Sequence, residues 1–130
     1  MARKSALYRS MDDIYFGPDE ESCGIYVMED DRGYVKIGRS YCPGTRCLSM
    51  QTGHPWPLKV AWAGRGRYKE VIKLEREVHK WLEDTVNKMN GEWYLMDTKA
   101  AVGAIERRAT TLKIMIKPDW LYVFEDGLYP

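Results

Sequence analysis

The chain reads Cys23-Gly-Ile-Tyr-Val-Met-Glu29, then Asp30-Asp-Arg-Gly33, then Tyr34-Val-Lys-Ile-Gly-Arg39, and this stretch decides its fold. The two outer runs are rich in β-branched and aromatic residues, which favour strands. The segment between them has the acidic residues and the glycine of a tight turn. The stretch therefore predicts a β-hairpin.

Alternation along the two runs sets the predicted register of the hairpin. Pairing Ile25 with Ile37 gathers the apolar side chains on one face of the sheet. Tyr26 then lies opposite Lys36 on the other face. The same register predicts a three-residue loop at 30–32 and places Gly33 at a left-handed bulge position.

Beyond the hairpin the sequence alternates between helix and strand periodicity. The clearest helix is predicted from residue 68 to about residue 88, because Val71, Leu74, Val78 and Leu82 recur at three- and four-residue steps. The other predicted elements are a helix at 46–52 with Thr45 as its N-cap, a strand at 58–63, a basic loop at 64–67, a strand at 92–96, a helix at 99–116 and a strand at 120–124. Residues 1–22 are predicted to be mostly irregular. These elements predict one α+β domain over residues 1–130.

Length and composition exclude several classes of protein. The chain has 130 residues, of which 45% are hydrophobic and 30% charged, as in soluble globular domains. No apolar run approaches the roughly 20 residues that cross a bilayer, so no membrane partner is expected. Cys23, Cys42 and Cys47 are an odd number without a disulfide framework, which favours a cytoplasmic location. A zinc site built from Cys42, Cys47 and His54 stays open as a weaker alternative, because its ligand spacing is loose.

Charge is concentrated in the middle of the chain. Residues 32–80 carry eleven Lys and Arg against three Glu, a net charge of +8, whereas the whole chain carries +1. A basic middle with acidic flanks is typical of a phosphate-binding face, although a solvated basic surface gives the same count. The five Trp and nine Tyr could also stack on unpaired bases, while most of them fit core or edge positions.

Two pairs of residues depart from their local patterns. Glu75 stands inside the apolar stripe of the long helix, where an unpaired carboxylate is costly to bury. His79 follows one turn later on the same face, so Glu75 either holds a metal ion or pairs with a nearby cation. Tyr26 and Lys36 place a phenol beside an ammonium, and the positive charge favours a phenolate able to accept a proton. Each pair has a plain alternative, an edge ion pair for Glu75 and an ordinary half-exposed sheet face for Tyr26.

Several arginine and lysine residues lie near these positions along the chain. Arg39 ends the second strand, and Arg46 lies in the first turn of the short helix. The planar guanidinium fork suits phosphate, because it donates two parallel hydrogen bonds. The predicted DNA- or phosphate-binding residues are Arg39, Arg65, Arg67, Lys69 and Lys73, in addition to Arg46.

The order of short motifs resembles the GIY-YIG endonuclease superfamily. The matching pieces are Gly24-Ile25-Tyr26, Lys36-Ile37-Gly38, Arg46, Leu74-Glu75 and Gly91-Glu92-Trp93-Tyr94. The phage-type branch is the most similar, because its second motif reads KIG and its last motif is GEW followed by an aromatic residue. The joint spacing is far more specific than any single piece.

The resemblance covers residues 23–96, which would form the nuclease core, with 1–22 and 97–130 as extensions. It implies a small three-stranded antiparallel sheet flanked by helices, and hydrolysis of DNA with one Mg²⁺ or Mn²⁺ ion per site. Tyr26 would be the general base, Glu75 the metal ligand and Arg46 the contact to the scissile phosphate. Lys36 stands where much of the superfamily has its second tyrosine, and it would bind phosphate or favour the Tyr26 phenolate.

His79 and Glu92 lie near positions that vary in the superfamily, and supporting roles are expected for them. The leading hypothesis is a metal-dependent DNA endonuclease. An inactive nucleic-acid-binding module of the same fold and a protein-interaction domain are the alternatives. A homodimer stays possible, because one metal site cuts one strand at a time.

Overall fold

The fold is an α+β arrangement of helices on one antiparallel sheet. The computed structural model describes residues 22–85, 93–119 and 121. The strands within those residues are β1 (Ser22–Asp30), β2 (Val35–Ser40), β3 (Leu58–Arg67), β4 (Trp93–Tyr94) and β5 (Lys117–Pro118). The helices there are α1 (Pro43–Gln51), α2 (Tyr68–Thr85) and α3 (Thr98–Leu112). None of these helices is both long enough and apolar enough to cross a membrane.

The sheet has the strand order β4-β2-β1-β3-β5, and every neighbouring pair is antiparallel. The predicted α+β class is confirmed. The predicted three-stranded sheet corresponds to β2, β1 and β3, and two-residue strands extend it at both edges. The number of strands in the sheet was therefore understated. Strand β4 lies within the strand predicted at 92–96, whereas β5 precedes the strand predicted at 120–124 and is too short to show a period.

The hairpin is confirmed, but its predicted register is wrong by two residues. Val27 pairs with Ile37, and Tyr26 pairs with Gly38 rather than with Lys36. Asp30 accounts for the difference, because it belongs to β1 and its carboxylate accepts hydrogen bonds from the backbone of the loop. The loop therefore starts one residue later than predicted. Gly33 is in the left-handed region with φ of 88°, as expected.

Both faces of the sheet are covered. On one face, Ile25, Val27 and Ile37 belong to the core that α2 and α3 complete with the stripe predicted on α2, namely Val71, Leu74, Val78 and Leu82. On the other face, Tyr26 and Met28 form a smaller core with Cys47 of α1 and Ala63. The half-exposed sheet face considered for Tyr26 does not occur, because α1 packs on it.

The predicted basic loop at 64–67 is instead the second half of β3. Gly66 pairs with Cys23 of β1, and Gly64 pairs with Pro118 of β5. A β-carbon on Gly66 would lie 2.6 Å from Cδ1 of Ile116, so the two glycines let the segment before β5 pack directly on the strand. The alternation of glycine and arginine was misread as a loop because glycine usually marks one.

The helix ends differ from the predictions for local reasons. Helix α1 begins at Pro43, since proline is tolerated in the first turn, and Cys42 rather than Thr45 is its N-cap residue. Helix α3 ends at Leu112 rather than near residue 116, because Lys113 adopts a left-handed conformation with φ of 57°. The turn directs Ile114 back into the core, where it is buried.

Several predictions extend outside the described residues. Of the segment 1–22 that was predicted to be irregular, residues 1–21 lie there, whereas Ser22 is the first residue of β1. The end of the long helix beyond residue 85 and Glu92 lie there as well. The predicted strand at 120–124 also lies outside them, except for Leu121, which is in a turn. The predicted strand at 92–96 is represented by the two residues of β4.

Candidate active site

A cleft of about 430 Å³ lies beside the end of β2. Its lining includes Tyr26, Lys36, Arg46 and Glu75, the residues for which catalytic roles were predicted. They come from β1, β2, α1 and α2, so only the folded chain brings them together. The volume is within the range of about 300–1,000 Å³ that is typical of ligand sites.

The topology of the sheet explains where the cleft lies. Strand β4 pairs with β2 through Val35 and Lys36. Gly38, Arg39 and Ser40 continue β2 beyond this pairing and line the cleft. Helix α1 packs on one face of the sheet and α2 on the other, so the cleft receives side chains from both faces at this edge.

The phenol of Tyr26 occupies the space that the missing side chain of Gly38 leaves. Tyr26 is 2% exposed, and Gly38 is its cross-strand partner. A β-carbon on Gly38 would lie 2.6 Å from Cζ of Tyr26, which is closer than real contacts allow. Glycine at this position is therefore a steric requirement for the tyrosine to lie flat across β2 and reach the cleft.

Glu75 forms an ion pair across the cleft with Arg39. Nη1 of Arg39 donates to Oε1 of Glu75 at 2.6 Å, and the Glu75 side chain is 14% exposed. Burial raises the pKa of Glu75, but His79 and Arg39 outweigh it and hold the pKa below its ordinary value. Glu75 is thus a partly buried carboxylate that stays ionised. The pairing considered from the sequence was with Lys73, Arg76 or His79, whereas the hydrogen-bonded cation in the structure is Arg39 of β2.

His79 connects α2 to the sheet behind Glu75. Its Nε2 donates to the carbonyl oxygen of Ile37 at 2.8 Å, because a carbonyl can only accept. Its Nδ1 lies 2.5 Å from the hydroxyl of Tyr94, a residue buried in the core. Oε2 of Glu75 is 3.7 Å from Nε2, beyond hydrogen-bond distance. His79 therefore holds α2 at the distance from β2 that lets Glu75 face the cleft.

Two exposed tyrosines stand at the edge of the cleft. Tyr41 follows β2, and Tyr68 is the first residue of α2. Their rings are parallel within 6°, with centroids 6.1 Å apart, and the residues are 45% and 36% exposed. The sequence analysis did not identify this pair, because no local pattern connects residues so far apart in the chain.

The predicted phosphate-binding residues divide into those near the cleft and those elsewhere. Arg39 lines the cleft, whereas Lys69 and Lys73 are exposed on α2. Arg67 is half-buried, and its Nη1 lies 3.8 Å from Oε1 of Glu70. Arg65 is 2% exposed, with Nη1 3.6 Å from Oδ2 of Asp119. Because burial leaves Arg65 no surface to offer a phosphate, it is not retained as a binding residue.

Four cations form one stripe on the outer face of α2. Lys69, Lys73, Arg76 and Lys80 recur at four-, three- and four-residue steps, and all are exposed. We name this set the basic ridge. It lies opposite the buried stripe of the same helix. Arg76 and Lys80 were counted in the basic segment but not selected as binding residues, although their helical spacing was readable from the sequence.

The segment that matches a known domain family includes the cleft residues and most of the described fold. Residues 23–109 match the T5orf172 domain, from the start of β1 into α3. The chain belongs to the T5orf172 domain family. This phage-associated domain is of the endonuclease type, so the match supports a nuclease-like or DNA-binding module. No curated protein and no solved structure shows a significant match to the chain.

The T5orf172 match continues past residue 96, where the resemblance noted from the sequence ends. The additional residues include most of α3, whose Ala101, Ala104 and Ile105 are buried in the main core. Helix α3 is therefore part of the packed T5orf172 fold rather than an appendage to it.

The donor atoms of the cleft suit Mg²⁺ or Mn²⁺ better than zinc. Glu75 is the carboxylate in the lining, and no group of three His, Cys, Asp or Glu within the described residues could hold a metal ion. Magnesium commonly binds through one or two carboxylates, substrate phosphate and several waters, so one carboxylate is sufficient. A structural zinc needs four protein ligands. Burial raises the pKa of the Cys47 thiol, which disfavours the thiolate that a zinc ligand requires, so the zinc alternative gains no support.

Proposed function

We propose that this T5orf172 domain is a metal-dependent DNA endonuclease of the GIY-YIG type. It would hydrolyse phosphodiester bonds with one Mg²⁺ or Mn²⁺ ion per site. The observation that carries the proposal is the convergence of Tyr26, Lys36, Arg46 and Glu75 on one cleft. Family membership and the exposed basic ridge support a nucleic-acid substrate.

Each cleft residue has its own role in the proposed hydrolysis. Tyr26, acting as a phenolate, accepts a proton from a water molecule, whose oxygen attacks the phosphorus atom, and the resulting phenol returns its proton to solvent before the next turnover. The bond from phosphorus to the leaving oxygen breaks, and that oxygen takes a proton from solvent. Arg46 and Lys36 bind the phosphate oxygens. A divalent ion bound to Glu75 would supply Lewis-acid stabilisation of the charge on the phosphate and the leaving oxygen.

Arg39 has two roles in this proposal. In the free protein it neutralises Glu75, which otherwise would be a costly buried charge. The Arg39 side chain is 40% exposed, so it has room to turn towards solvent. With a divalent ion held by Glu75, the Arg39 guanidinium would be free to donate to a DNA phosphate instead.

The ion pair also favours a second candidate function, an inactive DNA-binding module of the same fold. Because Arg39 already satisfies Glu75, the carboxylate is stable without any metal ion. In this case the cleft and the basic ridge would bind DNA without cutting it.

A plasmid-nicking assay separates the two candidates. The assay contains Mg²⁺ or Mn²⁺, with EDTA as the control, and compares wild type with Tyr26→Phe, Glu75→Gln and Glu77→Gln. Glu77 is the matched control, because it lies on the same helix and is not in the cleft lining. DNA affinity and melting temperature are measured for every variant.

For an endonuclease, Tyr26→Phe and Glu75→Gln slow nicking by about a hundredfold or more and keep DNA affinity. Glu77→Gln stays within about twofold of wild type. DNA binding without nicking in either metal would replace the endonuclease with the inactive module. Equal loss of nicking in Glu77→Gln would contradict the assignment of the cleft.

A further inference from the structure

The aromatic pair formed by Tyr41 and Tyr68 is the feature of the cleft that hydrolysis of a phosphodiester does not require. Both residues line the cleft, their rings are parallel within 6°, and they are 45% and 36% exposed. An exposed aromatic face is a place where another flat ring gains favourable stacking. The pair therefore indicates a ligand with an aromatic part.

We propose that this pair stacks an unpaired nucleobase next to the scissile phosphate, so that the preferred substrate is DNA with an unstacked base. This inference rests on the proposed function and specifies its substrate class. Single strands, flaps and mismatches expose such bases, whereas a matched duplex keeps them paired. A cleft of about 430 Å³ is large enough to hold one nucleotide.

The charges around the pair fit the same ligand. Lys36, Arg39 and Arg46 line the cleft that the tyrosines border, so aromatic faces and phosphate-binding cations occur together. This combination is typical of proteins that bind single strands, in which the bases stack and the backbone follows a positive groove.

The positions of the two rings are fixed by the scaffold. Nη1 of the buried Arg65 donates to the carbonyl oxygen of Tyr41 at 3.2 Å, which anchors the turn after β2. Tyr68 precedes Glu75 by two turns on the same side of α2, about 10 Å along the helix axis. A base at the tyrosines and a phosphate at Glu75 would thus belong to neighbouring nucleotides.

A second aromatic cluster lies outside the cleft. The guanidinium of Arg32 covers the rings of Trp56 and Tyr34, at 4.1 and 4.6 Å from their centroids. Arg32 is in turn held by Asp30 through a bond of 2.6 Å. That cluster ties together the hairpin loop and the segment before β3, and its residues are not in the cleft lining.

The test measures DNA binding in EDTA, where no cleavage occurs. Fluorescence anisotropy compares a labelled oligothymidine with a labelled matched hairpin, for wild type and for the double variants Tyr41→Leu/Tyr68→Leu and Tyr41→Phe/Tyr68→Phe. Phenylalanine preserves the stacking face and is the matched control. The leucine variant should bind the single strand about tenfold more weakly, with duplex affinity within about twofold of wild type. The phenylalanine variant should bind like wild type.

A second measurement does not depend on the folding of the variants. A 2-aminopurine base placed in a single strand should lose fluorescence on binding to wild-type protein, because stacking quenches it, and should not do so in the matched hairpin. Unchanged fluorescence on binding, or equal loss of single-strand and duplex affinity in a folded leucine variant, would overturn the inference. Because neither readout needs cleavage, a protein that stacks bases but never nicks DNA would refute only the proposed enzyme.

Discussion

Arg39 on β2 and Glu75 on α2 are joined by a hydrogen-bonded ion pair of 2.6 Å that closes one side of the cleft. The residues belong to different elements; Glu75 raises the pKa of Arg39, and Arg39 acts together with His79 to lower the pKa of Glu75. The pair makes a partly buried carboxylate stable in the free protein. It also places a cation on the oxygen that a metal ion would need.

Removing that cation should make metal binding easier. We expect Arg39→Ala to bind Mn²⁺ several-fold more tightly than wild type in the absence of DNA, because the ion no longer competes with the guanidinium. The same variant should lose about 1 kcal/mol of unfolding free energy, since the partly exposed pair is screened by solvent. Electron paramagnetic resonance of free Mn²⁺ measures the affinity, with the exposed Lys99→Ala as the control. Unchanged Mn²⁺ affinity would show that Arg39 and the metal do not share Glu75.

The low pKa of Glu75 predicts how stability depends on pH. The folded-state pKa lies below the ordinary value of 4.5, so the ionised carboxylate stabilises the folded protein above that value. This contribution is lost as the pH falls through the folded pKa. Glu75→Gln should therefore cost about 1 kcal/mol at pH 7, and the difference from wild type should shrink below pH 4.5. Urea unfolding at several pH values measures it, and a pH-independent difference would exclude ionisation as the cause.

A methyl group added at Gly38, beside Tyr26, should lower both the nicking rate and the stability of the fold. In Gly38→Ala the new methyl group would meet the ring of Tyr26, with Cζ at 2.6 Å, so the phenol must move. We expect a loss of about 1–3 kcal/mol in stability and at least about a tenfold loss in nicking rate. Gly53→Ala is the matched control, because a β-carbon there meets nothing within 4 Å. If both variants nick DNA equally well, the position of the Tyr26 ring does not matter to the reaction.

Neutralising the basic ridge should weaken DNA binding without changing which DNA is preferred. In Lys69→Gln/Lys73→Gln each lost phosphate contact reduces the slope of log affinity against log salt by about one. The ratio between single-strand and duplex affinity should stay constant, since the ridge contacts only the backbone. Anisotropy titrations at several salt concentrations measure both, with Lys99→Gln on α3 as the control. A slope identical to that of the control would exclude the ridge from the interface.

The sequence predicted the elements that have a strong internal period. The stripe of α2 and the alternation of β1 and β2 both appear in the structure with the expected faces buried. A period of two is unchanged by a shift of two residues, which is why the faces were right while the register was wrong. The register depended on Asp30, whose carboxylate bonds within the loop were not visible in the alternation.

The sequence also supplied the four cleft residues with predicted catalytic roles, through departures from local patterns, through charge, and through the order and spacing of short motifs. Tyr26, Lys36, Arg46 and Glu75 were selected that way, and all four line one cleft. Arg65 was selected from charge alone, and it is buried in β3. Charge counts cannot separate a buried structural arginine from an exposed one, because burial is decided by what packs above the strand.

By itself, then, the sequence determined the class of fold, the buried faces of its long elements and a set of candidate site residues. The tertiary structure decided which residues of separate elements contact each other. The Arg39–Glu75 pair, the place of Tyr26 over Gly38 and the stacked Tyr41 and Tyr68 all join separate elements. Such contacts depend on strand register and on how helices pack on a sheet, and these are set by the packing of the whole core rather than by any local pattern.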